Sequence, residues 1–144
     1  MRLSTRGRYG IQAMYDLASC SAETPQSVKQ ISERQSIPEA YLEQLFSMLK
    51  KADLVRSVRG AQGGYILSRS PSEITIGDIL RSLEGNLDLV DCLSDNLGCK
   101  RSEECASRLV WMKLSAGLNQ LADSITLYDM VSEQRQRIEN RRNI

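Results

Sequence analysis

The stretch "IPEAYLEQLFSMLKKADLVRSVRGAQGGYILSRS", residues 37–70, decides the fold. Its first half carries Tyr41, Leu42, Leu45, Phe46 and Leu49 on one stripe of helical period, leaving Glu39, Ala40, Glu43, Gln44 and Ser47 on other faces. Pro38 suits the first turn of that helix, where its fixed φ fits and its missing N–H has no partner to lose. The second half holds two β-favouring stretches, "LVRSVRG" and "GGYILSRS", joined through "RGAQGG", where glycine permits a tight turn. This predicts a hairpin with a basic tip at Arg59 and Gly60.

Upstream, "SVKQISERQSI" reads as a short helix capped by Ser27, with Val28 and Ile31 inward. "STRGRYGIQAMYDLASC" reads as a helix from about residue 5 to 20, capped by Ser4 or Thr5, with Tyr9, Ile11, Met14, Leu17 and Ala18 apolar. Two short helices, the second opened by a proline, are the pattern of a helix-turn-helix, and the hairpin that follows makes it a winged helix.

Downstream, "TIGDILRSLEG" predicts a helix with Thr75 as cap, Asp78 in the first turn, Ile76, Ile79, Leu80 and Leu83 inward, and Gly85 as terminator. Residues 86–101 show no period and read as a loop. "EECASRLVWMKLSAGLNQL" predicts a long helix from Ser102 or Glu103 to about Leu121, with Cys105 in its first turn. Its apolar set, Ala106, Leu109, Val110, Met112, Leu114, Leu118 and Leu121, is too wide for a small winged domain to cover. The same helix of a second copy is the nearest surface to cover it, so a homodimer is expected. Trp111, Tyr15 and Tyr128 are assigned to cores or to that seam. "SITLYDMVSEQ" adds a short helix capped by Thr126, and the charged tail beyond Glu133 is expected to fray. The fold class is mainly α: a winged helix-turn-helix region over residues 1–70, a linking helix and cysteine loop over 71–101, and a dimerisation helix with a C-terminal segment over 102–144.

The net charge of +1 conceals an asymmetry: residues 1–70 hold ten Lys and Arg against six Asp and Glu, whereas 71–134 hold five against eleven. The basic half is the one predicted to enter a groove, so double-stranded operator DNA is the expected partner. In a helix-turn-helix the early residues of the second helix reach base edges, here Pro38, Glu39, Ala40, Tyr41, Glu43 and Gln44. Gln44 suits a bidentate contact with adenine, and Glu43 can accept from cytosine N4. Arg59, followed by Gly60, suits a minor groove, while Arg56, Ser57, Lys50 and Lys51 suit phosphates. A winged domain that serves as a protein-interaction module is the alternative.

The chain has no histidine, which excludes Ser-His-Asp and Cys-His nucleophilic centres, and no phosphate-cradling loop opens a helix. An enzyme is not expected. The longest apolar runs fall short of the roughly 20 residues of a membrane span, and no signal-like core follows Arg2, Arg6 and Arg8. The expected compartment is the cytoplasm, with no membrane partner. Its reducing poise turns clustered cysteines toward metal binding or redox sensing.

Cys92, Cys99 and Cys105 fall within fourteen residues, with intervals of six and five residues between them. Structural zinc takes paired CxxC knuckles, whereas iron–sulfur clusters accept looser thiolate spacings. A helix N-terminus at Cys105 favours thiolate, although Asp91, Asp95, Glu103 and Glu104 oppose it. A zinc site completed by Cys20, or plain reduced thiols, are the alternatives. Cys20, near the end of the first helix, otherwise reads as a small buried hydrophobe.

Taken together, "MRLSTRGRYGIQAM", "YLEQLFSMLKKADLVRSVRGAQGGY", "ITIGDILRSLEG" and the three-cysteine loop before a tryptophan-bearing helix resemble the IscR-type iron–sulfur transcription regulators, from Met1 to about Val131. The resemblance implies a homodimeric winged-helix repressor that controls cluster-assembly genes or a related iron, cysteine or nitric-oxide response. It implies DNA contacts at Tyr41, Glu43, Gln44 and Arg59, and cluster ligation by Cys92, Cys99 and Cys105, with [2Fe–2S] preferred over [4Fe–4S]. One departure matters: Arg108 stands where the best-known branch has a histidine ligand. Arginine has donors only and stays protonated, so it cannot ligate. The fourth ligand falls to a carboxylate such as Glu103, Glu104 or Asp91, a serine-type oxygen, Cys20, a partner-subunit group or an exogenous molecule. A hard oxygen ligand predicts a labile cluster. A thiol- or ligand-sensing regulator of cysteine metabolism or of a nitric-oxide response is the alternative function.

Overall fold

A computed structural model describes residues 3–90, 93 and 105–143. The elements run α1 (Thr5–Ser19), α2 (Val28–Gln35), α3 (Glu39–Lys51), β1 (Val55–Val58), β2 (Gly64–Leu67), a short 3-10 turn (Pro71–Glu73), α4 (Ile76–Glu84), α5 (Ala106–Ser124) and α6 (Leu127–Arg142). The architecture is mainly α, a winged helix-turn-helix followed by a long helix.

The core forms where the periodic stripes converge. Met14, Ile31, Ile37, Leu42, Leu45, Phe46 and Leu49 from α1 to α3 are fully or almost fully buried, and Ile74, Ile79, Leu83 and Leu127 from the later segments join the same cluster. A half-buried ion pair fastens α1 to α2: Arg34 donates to both oxygens of Asp16, its Nη2 at 2.6 Å, and also reaches Gln26 Oε1 at 2.9 Å. Asp16 further accepts from Gln35 at 3.1 Å, so a carboxylate exposed by only 3 % has its lone pairs satisfied. The Asp16 carboxylate raises the Arg34 pKa above its ordinary value.

The start of α1 departs from expectation. Ser4 is the N-cap residue, but its side chain accepts no bond from the helix. The carboxylate of Glu84, the last residue of α4, does so instead: one oxygen accepts from Ser4 N at 3.1 Å, from Gly7 N at 3.0 Å and from the Ser4 hydroxyl. Orphan donors at a helix start need an acceptor, and an anion there also suits the dipole. The approach is close because α1 has no side chain at the contact: a Cβ on Gly7 would lie 2.6 Å from Glu84 Oε1, and one on Gly10 2.0 Å from Leu83 Cδ1.

Ser27, Thr75 and Thr126 each form a reciprocal capping box, with Gln30, Asp78 and Asp129. Backbone bonds Ile76 N to Ile125 O (2.8 Å) and Leu127 N to Ile74 O (2.9 Å) tie the starts of α4 and α6 together. Arg81 ties α4 to α5, donating to both oxygens of Asp123 at 2.8 Å and to Asn119 Oδ1 at 2.9 Å. That guanidinium holds the Asp123 carboxyl below its usual range.

Three boundaries differ from the sequence reading. Pro38 is the N-cap of α3, outside its first turn, with ψ at 138° and its carbonyl accepting from Leu42 N at 3.0 Å. Cys105 is likewise the N-cap of α5, so that helix opens at Ala106 and runs on to Ser124. The tail beyond Glu133 is helical as far as Arg142. Glu133 precedes Arg137 by four residues, Arg135 precedes Glu139 by four, and the final arginines face the negative end of the dipole. Among the described residues, no helix is long and apolar enough to cross a membrane.

Candidate nucleic-acid interface and cysteine region

The turn between α2 and α3 sets what α3 presents. Ser36 takes a left-handed conformation, φ 55° and ψ 44°, which ends α2. Ile37 then drops into the core, and the Ser32 hydroxyl donates to its carbonyl at 2.6 Å. With Leu42, Leu45, Phe46 and Leu49 buried, Glu39, Ala40, Glu43, Gln44 and Ser47 are left exposed along one side of α3. Tyr41 is only half-buried, and Tyr9 meets its ring edge-on at 5.5 Å between centroids. Its position is thus fixed by α1, while the carboxylate of Glu43 and the amide of Gln44 stay open to solvent.

The wing is a four-residue ladder, Val55 opposite Leu67 through Val58 opposite Gly64. Gly63 N donates to Gly60 O at 3.0 Å and closes the tip, with Gly60 at φ 118°. Arg56, Ser57, Arg59 and Gly60 are all exposed. Phe46 of α3 stacks on Tyr65 of β2 at 4.5 Å, and Lys50 Nζ donates to Ser57 Oγ at 3.0 Å. The wing and the C-terminal half of α3 are therefore one unit, and Lys50 and Ser57 meet each other as well as solvent.

Gln26 was not legible as part of this surface. Its backbone bonds Tyr65 in both directions, at 3.0 and 2.8 Å, and adds a bridge to the free edge of β2. A Cβ on Gly64 would stand 2.2 Å from Gln26 O, so glycine is needed for that approach. Only the glycine beside the wing carries any sequence signal of it.

Of the three clustered cysteines, Cys92 and Cys99 lie outside the described residues, as do Asp91, Asp95, Glu103 and Glu104. Cys105 is half-buried at the N-cap of α5, with Sγ 3.1 Å from Ser107 Oγ. A thiol at the start of a 19-residue helix faces the positive end of the dipole, which fits thiolate ligation of an iron–sulfur group. Arg108 follows within that first turn, its N–H donating to Cys105 O at 3.2 Å and its side-chain Nε buried without a hydrogen-bond partner among the described residues. A donor-only group in that place is consistent with a ligand set that does not include it.

Cys20 is half-buried, not fully buried, and it sits elsewhere. It ends α1 and lines a cavity of about 310 Å³ with Leu17, Arg56, Tyr65, Leu67 and Arg69, to which, among the described residues, neither 86–90 nor α5 contributes. Burial raises its thiol pKa, Arg34 lowers it and Asp16 raises it, with burial foremost. Among the described residues, no three His, Cys, Asp or Glu side chains converge as a metal site.

The model of a family described as an iron-dependent transcriptional regulator, Rrf2, matches residues 3–133. The HTH-type transcriptional regulator CymR of Bacillus subtilis is 44 % identical over 132 residues, 92 % of this chain and 91 % of CymR. The solved structure of that regulator, described as the global cysteine regulator of B. subtilis, superposes with a TM-score of 0.79 over 92 % of this chain and 98 % of its own, at 43 % identity. The structure of T. potens IscR gives a TM-score of 0.75 and 45 % identity over 93 % of this chain and 88 % of its own. These relatives are helix-turn-helix transcription regulators and not enzymes. With an exposed polar face on α3, a basic wing fastened beside it and a family match spanning both, the chain is a DNA-binding transcription regulator of the Rrf2 family and of IscR type.

Proposed function

We propose that the protein is a cytoplasmic, homodimeric repressor whose grip on a palindromic operator is set by an iron–sulfur cluster held by Cys92, Cys99 and Cys105. Cys105 at the N-cap of α5 is the observation that carries this reading. In this reading one ligand of the three-cysteine set stands at the start of the 19-residue α5. From there the connections run through the fold: Arg81 joins α5 to α4, and Glu84 joins α4 to the start of α1, against which the reading unit packs. Such a cluster, [2Fe–2S] rather than [4Fe–4S], supplies an oxygen- and redox-sensitive group when bound. With Arg108 unable to ligate, the fourth position falls to an oxygen donor or an exogenous molecule.

On DNA, Gln44 and Glu43 read base edges in the major groove from the first turns of α3, with Glu39, Ala40 and Tyr41 beside them. Arg59 and Gly60 enter a minor groove, and Arg56 and Ser57 meet phosphates. Dimerisation supplies the second half-site. Val110, Leu114, Gly117 and Leu121 recur at intervals of four, three and four along α5, and the three side chains are 52 %, 50 % and 61 % exposed. A continuous apolar stripe of this kind suits a symmetric helix pair.

Anaerobic purification with iron, sulfide and zinc analysis, repeated on Cys92→Ala, tests the cluster. Iron and sulfide in near-equal amounts in the wild type, lost in the variant, support it; a wild type without iron refutes it. A second reading draws on the likeness to the global cysteine regulator: a thiol- or ligand-sensing repressor that holds no cluster. It predicts no iron, but salt-dependent operator binding all the same.

A further inference from the structure

The cavity beside the first turns of α5 carries an inference that goes beyond the sensing of a cluster. It is an open, shallow cavity of about 330 Å³, within the size range of small-molecule sites. Leu93, Met112 and Ala116 form its apolar wall, and Asp88, Arg108 and Ser115 supply its polar groups.

The hydrogen-bonding capacity of this lining is unevenly used. Asn119, also in the wall, is occupied: its Oδ1 accepts from Arg81 at 2.9 Å and its Nδ2 donates to Ser115 O at 2.8 Å. Ser115 Oγ accepts from Leu89 N at 3.0 Å, which leaves its hydroxyl proton to donate. The Nε of Arg108 is buried and has no hydrogen-bond partner among the described residues. Among the described residues no ion pair joins Arg108 to Asp88, although both line the same cavity. A native fold rarely leaves a buried N–H donor such as this Nε idle, and a bound molecule is one reason for it.

Two opposite charges held apart in one small, partly apolar cavity match a dipolar ion. We infer that the cavity is a binding site for a free α-amino acid, with its carboxylate on the Arg108 guanidinium and the Ser115 hydroxyl, its ammonium on Asp88, and its side chain against Leu93, Met112 and Ala116. Guanidinium is the side chain best shaped for a carboxylate, because its fork donates two parallel bonds. The position that cannot ligate iron thereby has a use of its own. The site lies one turn from the Cys105 N-cap, where an occupant would bear on the start of α5.

Calorimetric titration of the full chain with each of the twenty common L-amino acids tests the assignment, with the iron content of every sample measured in parallel. At least one is expected to bind, and its deaminated acid and its decarboxylated amine should each bind at least about tenfold more weakly. Arg108→Gln and Asp88→Asn should each weaken the same amino acid about tenfold or more, with thermal unfolding unchanged. Arg108→Lys, which keeps the charge but loses the fork, should fall between wild type and Arg108→Gln. No binding at low-millimolar concentration overturns the site, as does undiminished affinity in both Arg108→Gln and Asp88→Asn. A deaminated acid that binds as tightly as its parent overturns the assignment of Asp88. Iron-free protein that binds an amino acid sinks the cluster reading alone, and iron-loaded protein that binds none sinks this one alone.

Discussion

In the proposed homodimer, replacing Leu114 and Leu121 together by alanine should separate the two protomers without unfolding either. Both side chains project from the stripe of α5 that no described residue covers, and they are 50 % and 61 % exposed. Complete burial of a leucine is worth about 1.5–3 kcal/mol, so covering the exposed half of each contributes roughly 1 kcal/mol. Two-fold symmetry repeats every loss in the partner, so four truncations cost the dimer about 3–4 kcal/mol. At 1.4 kcal/mol per factor of ten, the dissociation constant should rise by roughly two to three orders of magnitude. Sedimentation equilibrium over a wide concentration range measures this directly. Ile138→Ala is the control, because Ile138 is 42 % exposed but stands on α6, away from the stripe, and its loss should leave the association unchanged. A double variant that stays dimeric with its wild-type constant refutes the assignment of this face, and so does an Ile138→Ala protein that dissociates equally.

Glu84→Ala should lower stability by about 2 kcal/mol, since it strips the acceptor from the start of α1. At this chain length that is about 4–8 °C in Tm at fixed protein concentration; a shift below about 2 °C would show that solvent caps the helix as well. Asp123→Asn should destabilise the protein at neutral pH but not in acid. Arg81 depresses the Asp123 pKa, so the wild-type advantage is present above the unfolded carboxyl value of about 3.9 and is lost as pH falls through the lower folded value. Urea midpoints of the two proteins should converge as pH falls below about 4, and a gap of constant size would point to packing against Gly77 instead. On operator DNA, Arg56→Ala should weaken binding alike for all sequences and flatten the salt slope by about one per protomer. Gln44→Ala should cost about 1–3 kcal/mol at one base position and relax specificity there; a uniform loss across sequences would remove Gln44 from base reading.

The sequence was most legible where one segment carries its own instructions. The stripe of Leu42, Leu45, Phe46 and Leu49, the caps Ser27, Thr75 and Thr126, and the glycine turn of the wing are all local patterns, and all stand in the structure. Legibility failed at Ser4, where the capping carboxylate arrives from 80 residues away, and at Gln26, whose bridge to Tyr65 spans 39 residues. The C-terminal tail was misread for another reason. Its charge density suggested fraying, yet charges four residues apart and a firm capping box at Thr126 favour helix. Within the site, the exposed residues of α3 and the wing could be named in advance, whereas the idle Nε of Arg108 could not, because burial is no property of a residue alone.

By itself, then, the sequence determined the helices and the wing, the exposed face of α3 and the crowding of three cysteines into fourteen residues, since periodicity, capping and composition reside in residue types and short spacings. Only the tertiary structure decided which elements share a core, that Glu84 closes α1, that Cys20 belongs to the wing side, and that Arg108 and Asp88 line one cavity with no ion pair between them. Those relations depend on distances between segments far apart in the chain, and such distances are set only when the apolar stripes find one another.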